Sequence, residues 1–465
     1  MRAGSKKFMI KAIAAALAAG LLFWSLAGCS LISGGGESQT EEPGQEASGG
    51  QEDPSGGADG SGGGASEKDP AEGGDTEEGG EGSQEAEEEE AMRPIEEGGH
   101  VFPELGTTPG NMACGGMAVT AEDGTIYAAN ISGSGTITRI SPDGTEKVIC
   151  DIEPWDEMRK VTHLNIWNGS LYFEIGPVFY YTLYYATYHW PINGIYRLDL
   201  ASTDEYMKHY DAKEEGYEDL PEPVSVVLDE GAMGASYAEI AYYDPLVIGG
   251  KLYYWINNDY KKGRQLCWSE LNGAGPEELY DSKDHKVISW TSDGEKIYVS
   301  DDSSIFSLDP EGRRKDLVFE SGSHLQCYGQ DLFYAVENRV FRMPADGKTP
   351  SETVLERNGM IREFNVYDGK IYFIEENGTE SISSYIGIAS GFAPEDVEYA
   401  FRYIADPDMA GNGNTLLKGL SLSDGRLYYT QSFAYPDGRE IGDVSYVEMM
   451  PETGGFREAR TGPEN

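Results

Sequence analysis

The feature that most constrains this chain is a short phrase written seven times: a turn carrying Gly, then alternating aliphatic and aromatic residues. It reads DGTIYA at 123–128, NGSLYF at 168–173, GGKLYY at 249–254, DGEKIYV at 293–299, GQDLFYA at 329–335, DGKIYF at 368–373 and DGRLYY at 424–429. Gly takes the positive φ of a tight turn at little cost, and β-branched and aromatic residues suit a pleated, half-buried surface. Each copy therefore predicts a turn leading into a strand. Hairpins repeated at this spacing imply a radial or linear repeat, and a chain made of strands selects the propeller among those.

The first unit spells the internal order. It predicts strands over Met117–Thr120, Thr125–Asn130, Gly135–Ile140 and Glu146–Asp151, with Pro142-Asp143-Gly144 as the third turn. Unit four, 286–319, repeats that order with Pro310-Glu311-Gly312 in the same place, and unit five repeats it again through 339–355. The others depart by insertion. In unit two the second strand starts at Leu171 and runs on through an aromatic stretch. Strand three is expected over Gly194–Leu200, and a charged stretch, 203–222, precedes strand four at Pro223–Leu228. Unit three covers 240–280, unit six lacks a clean third turn between 380 and 413, and unit seven, 416–460, reads as complete. The expected fold is all-β, a seven-bladed β-propeller, with six or eight blades as alternatives. Closure is expected by packing of the first blade on the last, the alternative being an extra strand from 100–105.

Ahead of the repeats the composition breaks twice. Arg2, Lys6, Lys7 and Lys11 precede the apolar run 12–26, the pattern of a secretory signal too short and Ala-rich for a permanent span. The run ends at Leu26-Ala27-Gly28-Cys29, which resembles the lipobox of bacterial lipoproteins. That resemblance implies cleavage after Gly28 and a diacylglyceryl thioether on Cys29; the alternative is an ordinary cleaved signal with an incidental cysteine. Two acyl chains hold a protein stably at a membrane where one does not. Residues 34–97 are Gly, Ser, Glu, Gln, Asp, Ala and Pro with essentially no large apolar side chain before Met92, so ordering them has nothing to offset its entropy. The expected division is a signal over 1–28, the acylated Cys and a disordered acidic linker over 29–97, and the propeller over 98–465. A Gly-rich coil of this length reaches about 40–45 Å, so the linker's role reads as reach, with a cation-binding acidic tail as the competing idea.

The repeats resemble the bacterial propeller domain named for its likeness to low-density lipoprotein receptor-related proteins. GGKLYYW at 249–255, GIYRLDL at 194–200, DGKIYF at 368–373 and DGRLYY at 424–429 carry the resemblance, which extends over most of 110–460. It implies the fold and no activity, since that domain has no settled biochemical role. The Tyr-Trp-Thr-Asp signature of the animal relatives stands here only as Tyr254-Trp255-Ile256-Asn257, so their ligand residues do not carry across.

Charge narrows the partners. The chain's formal net charge is −46, and 98–465 alone holds 60 acids against 29 bases. Such a field repels phosphate backbones, so nucleic acid is excluded as a partner; solubility of an exported protein accounts for the acidity without any partner.

For a ligand site the insertion in unit two stands out, with Tyr184, Tyr185, Tyr188, His189 and Trp190 in seven residues. Exposed, these rings form a surface for a glycan, peptide or protein; packed, they fill the space between blades. No HExxH, paired metal spacing or GxSxG elbow occurs, so neither a metal nor any other cofactor is expected. His163 and His324 fall near first strands, which approach a propeller's channel. They read as structural histidines or as part of a His and Asp lining. Asp-Gly turns such as Asp143-Gly144 lack the alternating carboxylates of a calcium loop. Cys114, Cys150, Cys267 and Cys327 fit no zinc or redox spacing and read as buried thiols, with Cys114 and Cys150 as the one pair that could meet. The sequence thus points to an outward-facing, membrane-tethered propeller, on an outer membrane if the cell has one, that binds an extracellular ligand without catalysis. The alternative is an exported hydrolase or lyase acting on glycans at the channel mouth.

Overall fold

The computed structural model describes residues 92–131, 135–151, 159–177, 194–212, 223–229, 240–258, 264–377, 383–393, 396–402, 414–434, 440–449 and 457–458. Its strands form seven sheets, taken here in chain order as sheets 1 to 7. Each is built on an antiparallel meander in which consecutive strands are neighbours. Sheets 1 to 6 each carry this four-stranded meander, and the described strands of sheet 7 number three. The fold is an all-β propeller.

Local chemistry explains why the strands end where they do. In the first unit they run over Ala118–Thr120, Ile126–Ala129, Thr136–Ile140 and Glu146–Asp151. At the third turn the Asp143 carboxylate accepts the Thr145 N–H at 2.9 Å, and Gly144 takes φ +84°. Asp123 with Thr125, Asp309 with Glu311 and Asp346 with Lys348 repeat the device. These Asx turns pull their carboxyls below the usual range, by the backbone bond first in Asp123 and Asp143.

Apolar side chains fill every junction between successive sheets. Ile137 and Ile149 of sheet 1 meet Leu164 and Phe173 of sheet 2, whose Tyr172 and Ile195 meet Leu252 and Tyr254 of sheet 3. Trp255 stands edge-on to Trp290 of sheet 4, ring centroids 6.3 Å apart, and Tyr298 reaches Leu332 and Tyr334 of sheet 5. Phe333 packs with Phe364 of sheet 6, and Ile374 and Ile386 pack with Leu420 and Leu427 of sheet 7. The series returns to its start where Tyr428 of sheet 7 is buried with Ala118, Ile126 and Ile140 of sheet 1. There the Met117 N–H also donates to Ser421 Oγ at 3.0 Å, and Thr120 bonds Ser423. Closure is thus by side-chain packing. Leu105 makes only an isolated bridge to Ile248 of sheet 3.

The channel is filled at one end. The segment before sheet 1 crosses the ends of the sheets where the Asp-Gly turns lie, the turn end. Arg93 pairs with Asp331, the Tyr328 hydroxyl donates to the Glu96 carbonyl, and His100 stacks on Tyr367 at 4.0 Å between centroids. The Gly249 N–H donates to the Glu104 carbonyl at 2.8 Å. The contacts begin ahead of the compositional break at residue 98. The segment then enters the ring as a short helix, α1 (Pro109–Ala113), against the first strands of sheets 2, 4, 5, 6 and 7. Pro109, Gly110, Asn111 and Met112 are buried there. The Asn111 amide donates to the Ala118 and Leu422 carbonyls and accepts the Leu422 N–H and the Asn365 amide, all between 2.7 and 3.1 Å.

Three expectations are corrected. The charged stretch after 200 contains a helix, α2 (Leu200–Ala212), because Asp199 accepts the Ser202 N–H at 2.8 Å as an N-terminal cap. The doubtful half of unit six is regular, with strands Ser383–Ala389 and Val397–Arg402. The strand Arg457–Glu458 runs parallel beside that last strand, in sheet 6 and not in sheet 7. All four described cysteines are free and buried, Cys114 and Cys150 included.

Candidate functional site

The first strand of each sheet lines the channel, and six of the seven slip register against the second strand. In sheets 2, 3, 5 and 7 the slip has one form: two residues oppose one. The paired residues are His163-Leu164, Asp244-Pro245, His324-Leu325 and Gly419-Leu420. The first of each pair is left-handed, at φ 52°, 52°, 53° and 73°. That is the bulge in which residue 1 adopts αL, a conformation easy for Gly and uncommon for His or Asp, and such bulges re-aim side chains. Glu363 occupies the matching position in sheet 6, beside its own register slip.

In sheets 2, 5 and 6 a buried amide two residues further along the first strand holds the next sheet. Asn165 donates to the His163 and Pro245 carbonyls at 2.8 and 2.9 Å and accepts the Val247 N–H at 3.0 Å. Gln326 does the same for Phe364 and Val366 of sheet 6, at 3.1 and 2.9 Å. Asn365 donates to the Leu420 carbonyl of sheet 7 at 3.2 Å. This layer fixes the bulge residues above it.

The bulge residues then titrate differently according to neighbours. His163 sits between two carboxylates, with Nδ1 3.2 Å from Glu174 Oε2 and Nε2 3.3 Å from Asp244 Oδ1. Burial alone pulls this imidazole down, but the Glu174 hydrogen bond and the fields of Asp244 and Glu174 outweigh it, and its pKa is raised. The equivalent His324 meets an aromatic neighbour, Phe364, edge-on at 6.4 Å, and its Nδ1 has no partner among the described residues. Burial lowers its pKa to about 4, which keeps it neutral. Glu363 accepts the Leu420 N–H at 2.9 Å, yet burial pushes its carboxyl up to about 7. Beside it the Cys114 thiol, 3.1 Å from the Phe364 carbonyl, is pushed up by burial and by the Glu363 charge. One backbone position thus supplies an imidazole whose pKa is raised, an imidazole whose pKa is lowered to about 4 and a carboxyl that titrates near neutrality.

Two other groups of polar residues are already satisfied. Near the mouth end, where the first strands begin, His285 Nδ1 lies 2.9 Å from Asp302, both half-exposed. Neighbouring Asp301 already accepts Ser303, Ser304 and Arg314. A groove of about 580 Å³ at the turn end is lined by Arg93, Lys296, Asp331, Arg342 and Glu352, and Arg93 and Arg342 are committed to Asp331 and Glu352.

Cys29, Tyr184, Tyr185, Tyr188, His189 and Trp190 lie outside the described residues. The strand ends flanking the aromatic insertion, Pro177 and Gly194, are at the mouth end, because second strands finish where first strands begin. His163 and His324 do line the channel, at one equivalent position. Glu174, Asp244 and Glu363 were not singled out from sequence. The signal available was the triplet His-Leu-Asn at 163–165 and His-Leu-Gln at 324–326, which marks the bulge and the amide layer together.

No family model matches the chain, and no curated protein is similar to it in sequence. Among solved structures, an oligogalacturonate lyase in complex with manganese superposes at TM-score 0.43 and 9% identity, over 77% of this chain and 90% of that one. A puromycin-hydrolyzing peptidase of Mycobacterium tuberculosis gives 0.42 and 12%, over 68% of this chain and 49% of that one. This chain therefore spans about half that peptidase's length. The β-propeller domain of the Trilobed protease from Pyrococcus furiosus gives 0.37 and 11%, over 73% and 94%. At these values neither substrate nor chemistry transfers.

Proposed function

We propose that the chain is a surface-tethered binding module. Its propeller takes an extracellular ligand (a glycan, peptide or protein) at the mouth end of the channel. The observation that carries this reading is the filled turn end: α1 and the crossing segment occupy it, so a ligand meets the bulge layer only from the other side. A preformed concave site with a few convergent polar groups is the usual shape of a binding pocket. In this reading sheet 7 is the seventh blade, short by one strand and held to sheet 1 by packing. Cys29 carries the diacylglyceryl anchor, residues 29–97 supply reach, and Tyr184, Tyr185, Tyr188, His189 and Trp190 contribute rings at the rim.

The test is a glycan and peptide array probed with the full chain, compared with a Tyr185→Ala, Trp190→Ala double variant. Specific hits that the double variant loses are expected; hits that it fully retains remove the aromatic insertion from the site. Incorporation of labelled palmitate, lost on Cys29→Ser, is the matching test of the anchor.

A second reading is favoured by one observation. Glu363, at the bulge-layer position of the channel-lining strand of sheet 6, has its carboxyl pushed up to about 7, a value suited to general acid–base work. Polymeric glycans incubated with the chain would then yield new chain ends, and Glu363→Gln would abolish them. An unreactive wild-type chain that still binds glycan eliminates the enzyme.

A further inference from the structure

We propose that His163, Glu174 and Asp244 form a binding site for one divalent transition-metal ion, Mn2+ or Zn2+, where sheets 2 and 3 meet at the bulge layer. The inference is independent of which ligand the mouth end takes.

The three donors come from three strands: the first and second of sheet 2 and the first of sheet 3. One ligand atom from each lies within 4.8 Å of the others. Metal–donor bonds of about 2.0–2.2 Å place ligand atoms up to about 4.4 Å apart, so the set stands within about half an ångström of the spacing that one ion needs. The donors are also held from behind. His163 and Asp244 are fixed by their left-handed bulges, and Glu174 Oε2 is fixed by the Asp244 N–H at 3.0 Å. Asn165 ties the two bulges together through the His163 and Pro245 carbonyls.

Charge gives the second argument. Side-chain exposure is 14% at His163, 9% at Glu174 and 35% at Asp244, so two carboxylates are partly withdrawn from water. Among the described residues His163 is the basic group within ion-pair distance of either. An imidazolium balances one of the two negative charges, whereas a divalent ion with a neutral imidazole balances both. Uncompensated charge in a site shielded from water is costly, and the ion removes that cost. One imidazole nitrogen with two carboxylate oxygens is a donor set that suits Mn2+ and Zn2+ better than soft ions. Three protein ligands leave at least one position open to water or to a ligand group.

The test uses the full chain, freed of metal with a chelator and titrated with Mn2+ and separately with Zn2+, with bound ion counted by equilibrium dialysis. One ion per chain is expected. Asp244→Asn, which keeps shape and tolerates the left-handed backbone, and Glu174→Gln should each weaken uptake by roughly tenfold or more. Asp302→Asn, in the exposed His285 group, should leave it unchanged. A measurement on the unaltered chain guards against a variant that misfolds: of the six histidines, His163 should be the one whose ring resonances Mn2+ broadens first. No uptake at millimolar ion, uptake that both Asp244→Asn and Glu174→Gln leave intact, or broadening centred on His285 overturns the proposal.

Discussion

Residues 165, 326 and 365 are fully buried amides that clamp the backbone of the next sheet, whereas 163, 324 and 363, two residues earlier on the same strands, are partly exposed and titratable. The two layers share strands, neighbours and register, so the difference between them is one of partners. An amide can satisfy a backbone N–H and C=O together and has no charge to desolvate. A His or Glu at such a depth must shift its pKa or find a counter-charge. Each member of the amide layer accordingly donates to a carbonyl of the next sheet, and the bulge layer diverges from sheet to sheet. Structure is held by the one and chemical variety by the other.

The largest effect that would break this division belongs to the amide layer. Asn165→Ala leaves the Val247 N–H and the Pro245 carbonyl buried without their partner, and should cost about 4 kcal/mol at 1–3 kcal/mol per orphaned group. The urea-denaturation midpoint measures it; a loss below about 1 kcal/mol would mean that the layer is not what holds sheets 2 and 3 together. Close behind comes the plug. A Cβ on Gly110 would stand 1.9 Å from Asn365 Oδ1 and 2.7 Å from Gln326 Oε1, so Gly110→Ala must displace α1 or two clamps at once. About 3 kcal/mol is expected by the same assay, in line with other overpacked cores.

The bulge layer makes an opposite kind of prediction, one read in pH. Glu363 holds its proton more tightly in the folded chain, near pH 7 against 4.5 unfolded. Its contribution is therefore full below pH 4.5 and is lost as pH rises through 7. His324 holds its proton less tightly, near 4 against 6.5, so its contribution is present above 6.5 and is lost as pH falls through 4. Each amounts to about 3 kcal/mol at 1.36 kcal/mol per unit, and over their shared range the two oppose each other. Glu363→Gln should unmask stability that rises from pH 4 to 6.5, and His324→Gln stability that falls from 4.5 to 7. Denaturation midpoints of the two variants that run parallel across that range would show the groups to be unshifted.

How much of this was legible in the sequence follows the same division. Strands of the first unit are placed to within a residue because Asp-Gly turns are local: Asp143 bonds Thr145 two residues on, whatever the rest of the chain does. The amide clamps and the His163 group are not local. Asn165 meets Pro245 and Val247 across a sheet junction, and Glu174 meets Asp244 only because two bulges face each other. α1 offers just five residues of pattern and owes its place to Asn111, whose partners Leu422 and Asn365 lie in the last two sheets. α2 was within reach, since Asp199 is a good cap, but the charged run that follows it reads equally as a loop.

The smallest effect sharpens the contrast from the other side, at a residue that belongs to neither layer. Gly144 has φ +84° and nothing within 4 Å of where a Cβ would stand, so Gly144→Ala is charged only for the left-handed backbone. About 1 kcal/mol is expected. Gly144→Asn should recover part of it, because Asn enters that region more readily. Both are read as midpoint shifts at one pH. Because the turn touches no titratable group of the bulge layer, neither variant should alter the pH profile that Glu363 and His324 set. A turn variant that did alter it would mean that the turn end and the mouth end are coupled through the strands, and the two-layer picture would have to give way to one in which each sheet responds as a unit.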